Sequence, residues 1–182
     1  MRNKSLHALT EGAIMVALAT ALSYVKLIEL PNGGSVCIGM LPIFLYCIRW
    51  GWKSGFVASF AYGVLLLIFD GAYAWGPWSM LLDYVIAFGL LGVAGFFAGV
   101  REGIFPGTVA GCLCRFAMHF LSGVTIYRIY APTELFNHVF TSPWLYSLAY
   151  NGSFMILDMA LCLVIFAILR KPMGKYFQYQ AK

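Results

Sequence analysis

The sequence predicts an all-α integral membrane protein with six transmembrane helices and both termini in the cytoplasm. Composition, segmentation and charge placement carry that reading. Hydrophobic residues make up 62% and charged residues 10% of 182 positions, with a mean hydropathy of +0.82. A soluble domain has about 25% charged and roughly 45–50% apolar residues. A soluble globular protein, a disordered tail and a secreted disulfide scaffold are therefore excluded. The length accommodates about six spans of ~20 residues with short loops, so residues 1–182 are expected to be a single membrane domain.

The first apolar run, Leu6–Ile28, follows Arg2 and Lys4 and contains Glu11. Glu11 interrupts what would otherwise be the apolar centre of a signal peptide, which favours a retained helix. Ala13, Ala17 and Ala21 recur at every fourth position, a small-residue stripe that another helix can approach closely. The second and third runs, Val36–Trp50 and Gly55–Phe69, are short for full spans and are separated by Gly51-Trp52-Lys53-Ser54. Tilting or a neighbour that shields their ends would accommodate them. The fourth run, Trp78–Val100, starts after Gly76-Pro77. The fifth is Ile104–Tyr127 and the sixth Trp144–Leu169, with the longest loop, Arg128–Pro143, between them and available as a lid. The predicted spans are thus 6–28, 36–50, 55–69, 78–100, 104–127 and 144–169.

Orientation follows from Lys and Arg. Arg2, Lys4, Arg49, Lys53, Arg101, Arg170, Lys171, Lys175 and Lys182 fall on one side, against Lys26 and Arg128 on the other. The positive-inside rule puts the crowded side, with both termini, in the cytoplasm. The net charge of +5 therefore reads as topology, and a nucleic-acid partner is excluded, because no basic soluble face exists. Cys37, Cys47, Cys112, Cys114 and Cys162 lie inside apolar runs and read as small buried hydrophobes. Cys112-x-Cys114 lacks a partner at zinc-site spacing, so no metal and no cofactor are expected. A phosphate loop, a zinc-protease helix and a nucleophile elbow are all absent, so the chain reads as a non-enzyme.

Polar side chains inside spans are costly and default to function. They are Glu11, Asp83, Arg115, His119, Asn151 and Asp158. At 1.5 Å per residue, Asp83 lies roughly 7 Å, Asn151 roughly 10 Å and His119 roughly 12 Å below the outer ends of their spans. Three helices thus bring three polar groups to the outer half of the bundle. Tyr73, Trp75, Trp78, Tyr84, Tyr127, Tyr130, Trp144, Tyr146 and Tyr150 crowd the same level. Interfacial anchoring accounts for many of them. A carboxylate among aromatic faces also suits an organic cation. Arg115 and Asp158 are about equally deep, which makes them a buried ion pair, unless Arg115 reaches up one turn towards His119. Glu11 sits near the headgroups or caps the first helix after Thr10.

Several stretches resemble the vitamin-binding S-components of energy-coupling factor (ECF) transporters, and their thiamine-specific branch in particular. They are Leu9-Thr10-Glu11 with the alanine stripe, Leu41-Pro42-Ile43 with Arg49-Trp50-Gly51, Asp83-Tyr84 with Gly92-x-x-Gly95, Arg115-x-x-x-His119-x-x-x-Gly123, and Tyr146-Ser147-Leu148-Ala149-x-Asn151-Gly152. The resemblance implies an S-component-like bundle, multi-pass in a bacterial plasma membrane, that captures thiamine and performs no chemistry. It implies that Asp83, Tyr84, His119, Gly123, Tyr127, Tyr146 and Asn151 form the substrate site, to which Arg115 and Tyr73 are added. It also implies that Ala13, Ala17 and Ala21 dock an ECF module, a transmembrane coupling subunit with two ATPase subunits. Asp83 stands where that branch usually has Glu, Arg115 where it has Lys, and Tyr127 where it has Trp. The alternatives are an S-component for a thiamine precursor or another heteroaromatic vitamin, or an autonomous proton-coupled transporter with Asp83 or Asp158 as relay.

Overall fold

The structure is a computed structural model that describes residues 4–30, 34–71, 74, 76–130, 133–135 and 138–180, with residues 127–130, 133–134 and 138 described by backbone alone. Five helices among the described residues are long and apolar enough to cross a bilayer. They are α1 (Lys4–Ser23), α2 (Met40–Asp70), α3 (Pro77–Phe97), α4 (Ile104–Tyr130) and α5 (Pro143–Leu169).

α2 is two arms. At Gly51 the backbone turns through φ 77°, ψ −178°, a conformation open mainly to glycine. Beyond it, Ser59 Oγ comes within 3.8 Å of Cys47 Sγ, although twelve residues of straight helix would separate them by about 18 Å. A Cβ on Gly39 would likewise lie 2.6 Å from the Tyr62 hydroxyl. The chain reverses there, so that with the arms 40–50 and 52–70 taken separately the described residues hold six helical segments in place of five continuous ones.

The ends of the first two runs depart from the helical expectation. α1 stops at Ser23, and Lys26–Glu29 is a strand, β1, paired antiparallel with β2 (Ser35–Cys37). The first arm of α2 is therefore only about 16 Å long, and the extended β2 covers the remaining depth at roughly 3.3 Å per residue. Non-helical backbone at that depth must find protein partners. Gly34 N–H donates to the Tyr150 hydroxyl at 2.8 Å and Cys37 N–H to Asp158 Oδ1 at 2.9 Å, so β2 runs inward along α5. That is why the second run is short.

α3 changes its winding along its length. Met80–Ile86 is π-type and Leu90–Phe97 is 3₁₀. Three residues per turn align every third side chain, so Gly89, Gly92 and Gly95 form one bare row. The second arm of α2 lies against that row: a Cβ on Gly92 would sit 2.7 Å from Phe56 Cα, and one on Gly95 2.5 Å from Trp52 Cα.

At the basic end, Arg49 grips Glu11 with Nε and with Nη2, the latter at 3.1 Å, and Nη1 donates to Tyr176 O at 3.0 Å. Gln180 N–H returns to Arg49 O at 2.7 Å. Glu11 is thus half of a partly buried fork with Arg49 at this end of the bundle. Phe177, in the short 3₁₀ turn Gly174–Phe177, meets Phe166 edge-on. At the opposite end, Thr133–Leu135 and His138–Phe140 form a small hairpin, β3–β4, with Leu135 buried.

Gly51→Ala should lower the thermal midpoint of the detergent-purified protein. The added Cβ meets the Tyr179 ring at 3.3 Å and the positive φ costs an L-residue about 1–3 kcal/mol. An unchanged midpoint would show that the reversal tolerates other backbone geometry.

Candidate functional site

Asp83 lies on the π-wound part of α3, where the wider turn brings its carboxylate to the bundle interior. Oδ2 accepts from Ser79 Oγ at 2.7 Å and from Ser122 Oγ at 2.5 Å. Oδ1 meets His119 Nδ1 at 2.9 Å. Arg115, one turn below His119 on α4, donates from Nε to His119 Nε2 at 3.2 Å. A nitrogen that accepts from a guanidinium carries no proton, so His119 is neutral and its Nδ1–H donates to Asp83.

The chain of contacts continues downward. Arg115 Nη1 donates to Asp158 Oδ2 at 2.9 Å and to Met40 Sδ at 3.0 Å, and the guanidinium lies 4.3 Å over the Phe88 ring. Asp158 is fully buried and its second oxygen holds the Cys37 amide. The two readings of Arg115 left open by the sequence both hold, since it pairs with Asp158 and supports His119. With one Arg, two Asp and a neutral His, this cluster, buried except at Asp83, has a formal charge of one net negative. In a low-dielectric interior such a charge attracts a cation far more strongly than it would in water.

Asn151 on α5 closes the second flank. Its Nδ2 donates to His119 O and to Ser147 O and Oγ, each at 3.1 Å, and Ser147 Oγ donates to Phe120 O at 2.7 Å. Gly123 lies in this crossing, where a Cβ would collide with Ser147 Oγ and sit 2.9 Å from Asn151 Nδ2. An aromatic wall stands beside it. Tyr146 and Tyr150 stack at 5.8 Å, Phe140 meets Tyr146 edge-on, and Phe154 meets both Tyr150 and His119 edge-on.

Asp83, Arg115, His119, Gly123 and Asn151 are therefore brought together, with Tyr146 in the adjoining wall. Tyr84 follows Asp83 on α3, and its hydroxyl donates to Asp70 O at 2.8 Å. Tyr73 and the side chain of Tyr127 lie outside the described residues, as do Trp75 and the side chain of Tyr130. Trp78 is 73% and Trp144 49% exposed, which suits interfacial anchoring. Ala13, Ala17 and Ala21 are exposed along α1. Sequence reasoning missed Ser79, Ser122 and Ser147. Their signal was spacing: Ser79 stands four before Asp83, Ser147 four before Asn151 and Ser122 three after His119, each on the same helix face. Among the described residues no group of three or more His, Cys, Asp or Glu is placed to hold a metal.

Comparisons with known proteins agree with this arrangement of elements. Residues 9–178 match the family described as thiamine transporter protein (Thia_YuaJ). The thiamine transporter ThiT of Bacillus subtilis is 33% identical over 92% of this chain and 92% of its own length. ThiT of Lacticaseibacillus paracasei is 29% identical over 92% of this chain and 89% of its own length. A solved structure of ThiT from Listeria monocytogenes superposes with a TM-score of 0.83 at 25% identity, covering 97% of this chain and all of that one. A family match over most of the length, with relatives on the same helical frame, places this multi-pass membrane protein in the thiamine transporter family.

Proposed function

We propose that the chain is a thiamine-binding S-component of an ECF-type uptake transporter and captures the vitamin in the outer half of the bundle. The observation that supports this most is the single net negative charge centred on Asp83, Arg115 and Asp158. Thiamine carries one fixed positive charge on its thiazolium ring. Asp83 supplies the counter-charge, and Ser79, Ser122 and His119 hold the carboxylate so that it does not reorganise when the cation arrives. Tyr84 and Tyr146 offer aromatic faces to the two heterocycles, and Tyr127 and Tyr73, whose side chains lie outside the described residues, are included in the site on the resemblance alone. Asn151, held beside His119 and Ser147, fixes their orientation. Gly123 keeps the crossing of α4 and α5 narrow, and Arg115 holds His119 in its neutral form. The named relatives are thiamine transporters, which fits this ligand and a chain that carries rather than transforms it.

In this reading transport energy comes from a partner ATPase module, since the sequence contains no phosphate loop with which the chain itself would hydrolyse ATP. The exposed alanines at 13, 17 and 21 present the close-approach face on α1 for the coupling subunit of that module.

Isothermal calorimetry of the purified protein should give saturable binding of thiamine. Asp83→Asn should weaken it at least tenfold, or about 1.4 kcal/mol, since the variant removes the counter-charge and turns an amide N–H₂ towards hydroxyl donors. Equal affinity for the variant would make Asp83 structural. Gly123→Val should also reduce affinity by about tenfold or more, because two methyl groups enter the space of Ser147 and Asn151. Ala17→Trp should leave thiamine affinity intact while the ATPase subunits no longer co-purify. Uptake by this chain alone in vesicles under a pH gradient would overturn the ECF assignment.

A further inference from the structure

A cleft of about 590 Å³ opens at the end of the bundle opposite the Asp83 site, between the α3–α4 turn and the segment after α5. Arg101, Glu102 and Arg170 supply its charge, Val100 its apolar side and Tyr179 part of its rim. Glu102 adopts φ +57°, an uncommon left-handed conformation for a non-glycine residue, and its carboxylate pairs with Arg170. That pair is neutral. Arg101 is exposed, and no acidic partner meets it among the described residues. The first turn of α4, at Gly103 to Phe105, also lines the cleft and adds the positive end of a long helix. The cleft therefore carries one net positive charge.

Its surroundings are those of a membrane interface. Val100 is 55% exposed, and Phe96 and Ile168, in the last turns of α3 and α5, are more exposed still. By the distribution of Lys and Arg this is the cytoplasmic end. We propose that the cleft seats the phosphodiester of an anionic phospholipid of the inner leaflet, with Arg101 as its charge partner. The acyl chains then lie along Val100, Phe96 and Ile168. One guanidinium matches one phosphodiester. A choline headgroup would bring an extra positive charge into a site that has no carboxylate to receive it, because Glu102 is already taken by Arg170. A soluble phosphate shares the headgroup chemistry but gains nothing from the apolar side.

Native mass spectrometry of the full chain, offered phosphatidylglycerol and phosphatidylcholine with the same acyl chains, tests this. One phosphatidylglycerol should be retained with a preference of about fivefold, and Arg101→Gln should reduce that preference to within about twofold. Arg101→Lys keeps the charge and should retain most of the preference. Equal thiamine binding by the unmutated chain and Arg101→Gln shows that the variant is folded, whereas absence of thiamine binding in the unmutated chain bears on the proposed function and not on the cleft. Equal retention of the two lipids, or a preference unmoved by Arg101→Gln, would overturn the proposal. Displacement of the lipid by millimolar glycerol 3-phosphate would assign the cleft to soluble anions instead. If Arg101→Gln left lipid retention unchanged but released the ATPase subunits, the cleft would belong to a protein partner.

Discussion

Asp158 receives the guanidinium of Arg115 on one oxygen and the backbone N–H of Cys37 on the other. An isolated carboxylate at this depth would be untenable, and losing either member of such a pair costs about 3–5 kcal/mol. The pair does more than cancel charge. Arg115 is anchored strongly enough to offer its remaining Nε–H upward, which fixes the tautomer of His119 and so the direction of its hydrogen bond to Asp83. Through Cys37 the same carboxylate holds a strand at a depth where lipid could not satisfy it. Three helices and the β1–β2 hairpin thus share one buried acid. The order of charges along this chain leaves the surplus at its outer end.

What holds Asp83 in place from the other side is backbone contact. The bare row on α3 admits the second arm of α2 to within contact of its main chain, so α3 cannot slide or rotate without clashing. Above that row the winding widens at Met80–Ile86. Such π-type turns recur at functional sites because they redirect a side chain without breaking the helix. Tight 3₁₀ winding for packing and wide π winding for presentation occur in one helix, a few residues apart.

The depth argument was legible because hydrophobicity marks the ends of spans and helical rise does the rest. It brought Asp83, His119 and Asn151 to one level and paired Arg115 with Asp158. Hydroxyl residues were not legible as partners, since Ser in an apolar helix is ordinary and only its spacing from Asp83, His119 or Asn151 distinguishes Ser79, Ser122 and Ser147. The hairpin was hidden for a different reason. The stretch Val36–Ile48 carries no charged residue, and without polar interruptions neither a two-residue nor a 3.6-residue period can be seen in it. The Glu11–Arg49 fork joins residues thirty-eight apart, and no local pattern announces such a contact.

That fork also bears on how the protein is assembled. Glu11 lies in the first helix, Arg49 beside the reversal of α2, and the third participant, Tyr176, lies beyond the last span. A chain that enters the membrane from its N-terminus exposes Glu11 and Arg49 long before Tyr176 O is available. The Glu11–Arg49 pair needs only the first two helices, whereas the third contact needs the chain beyond α5. The cytoplasmic end is therefore complete only when both ends of the sequence are in place. A chain in which α5 fails to insert lacks both main-chain contacts to Arg49, from Tyr176 O and from Gln180 N–H.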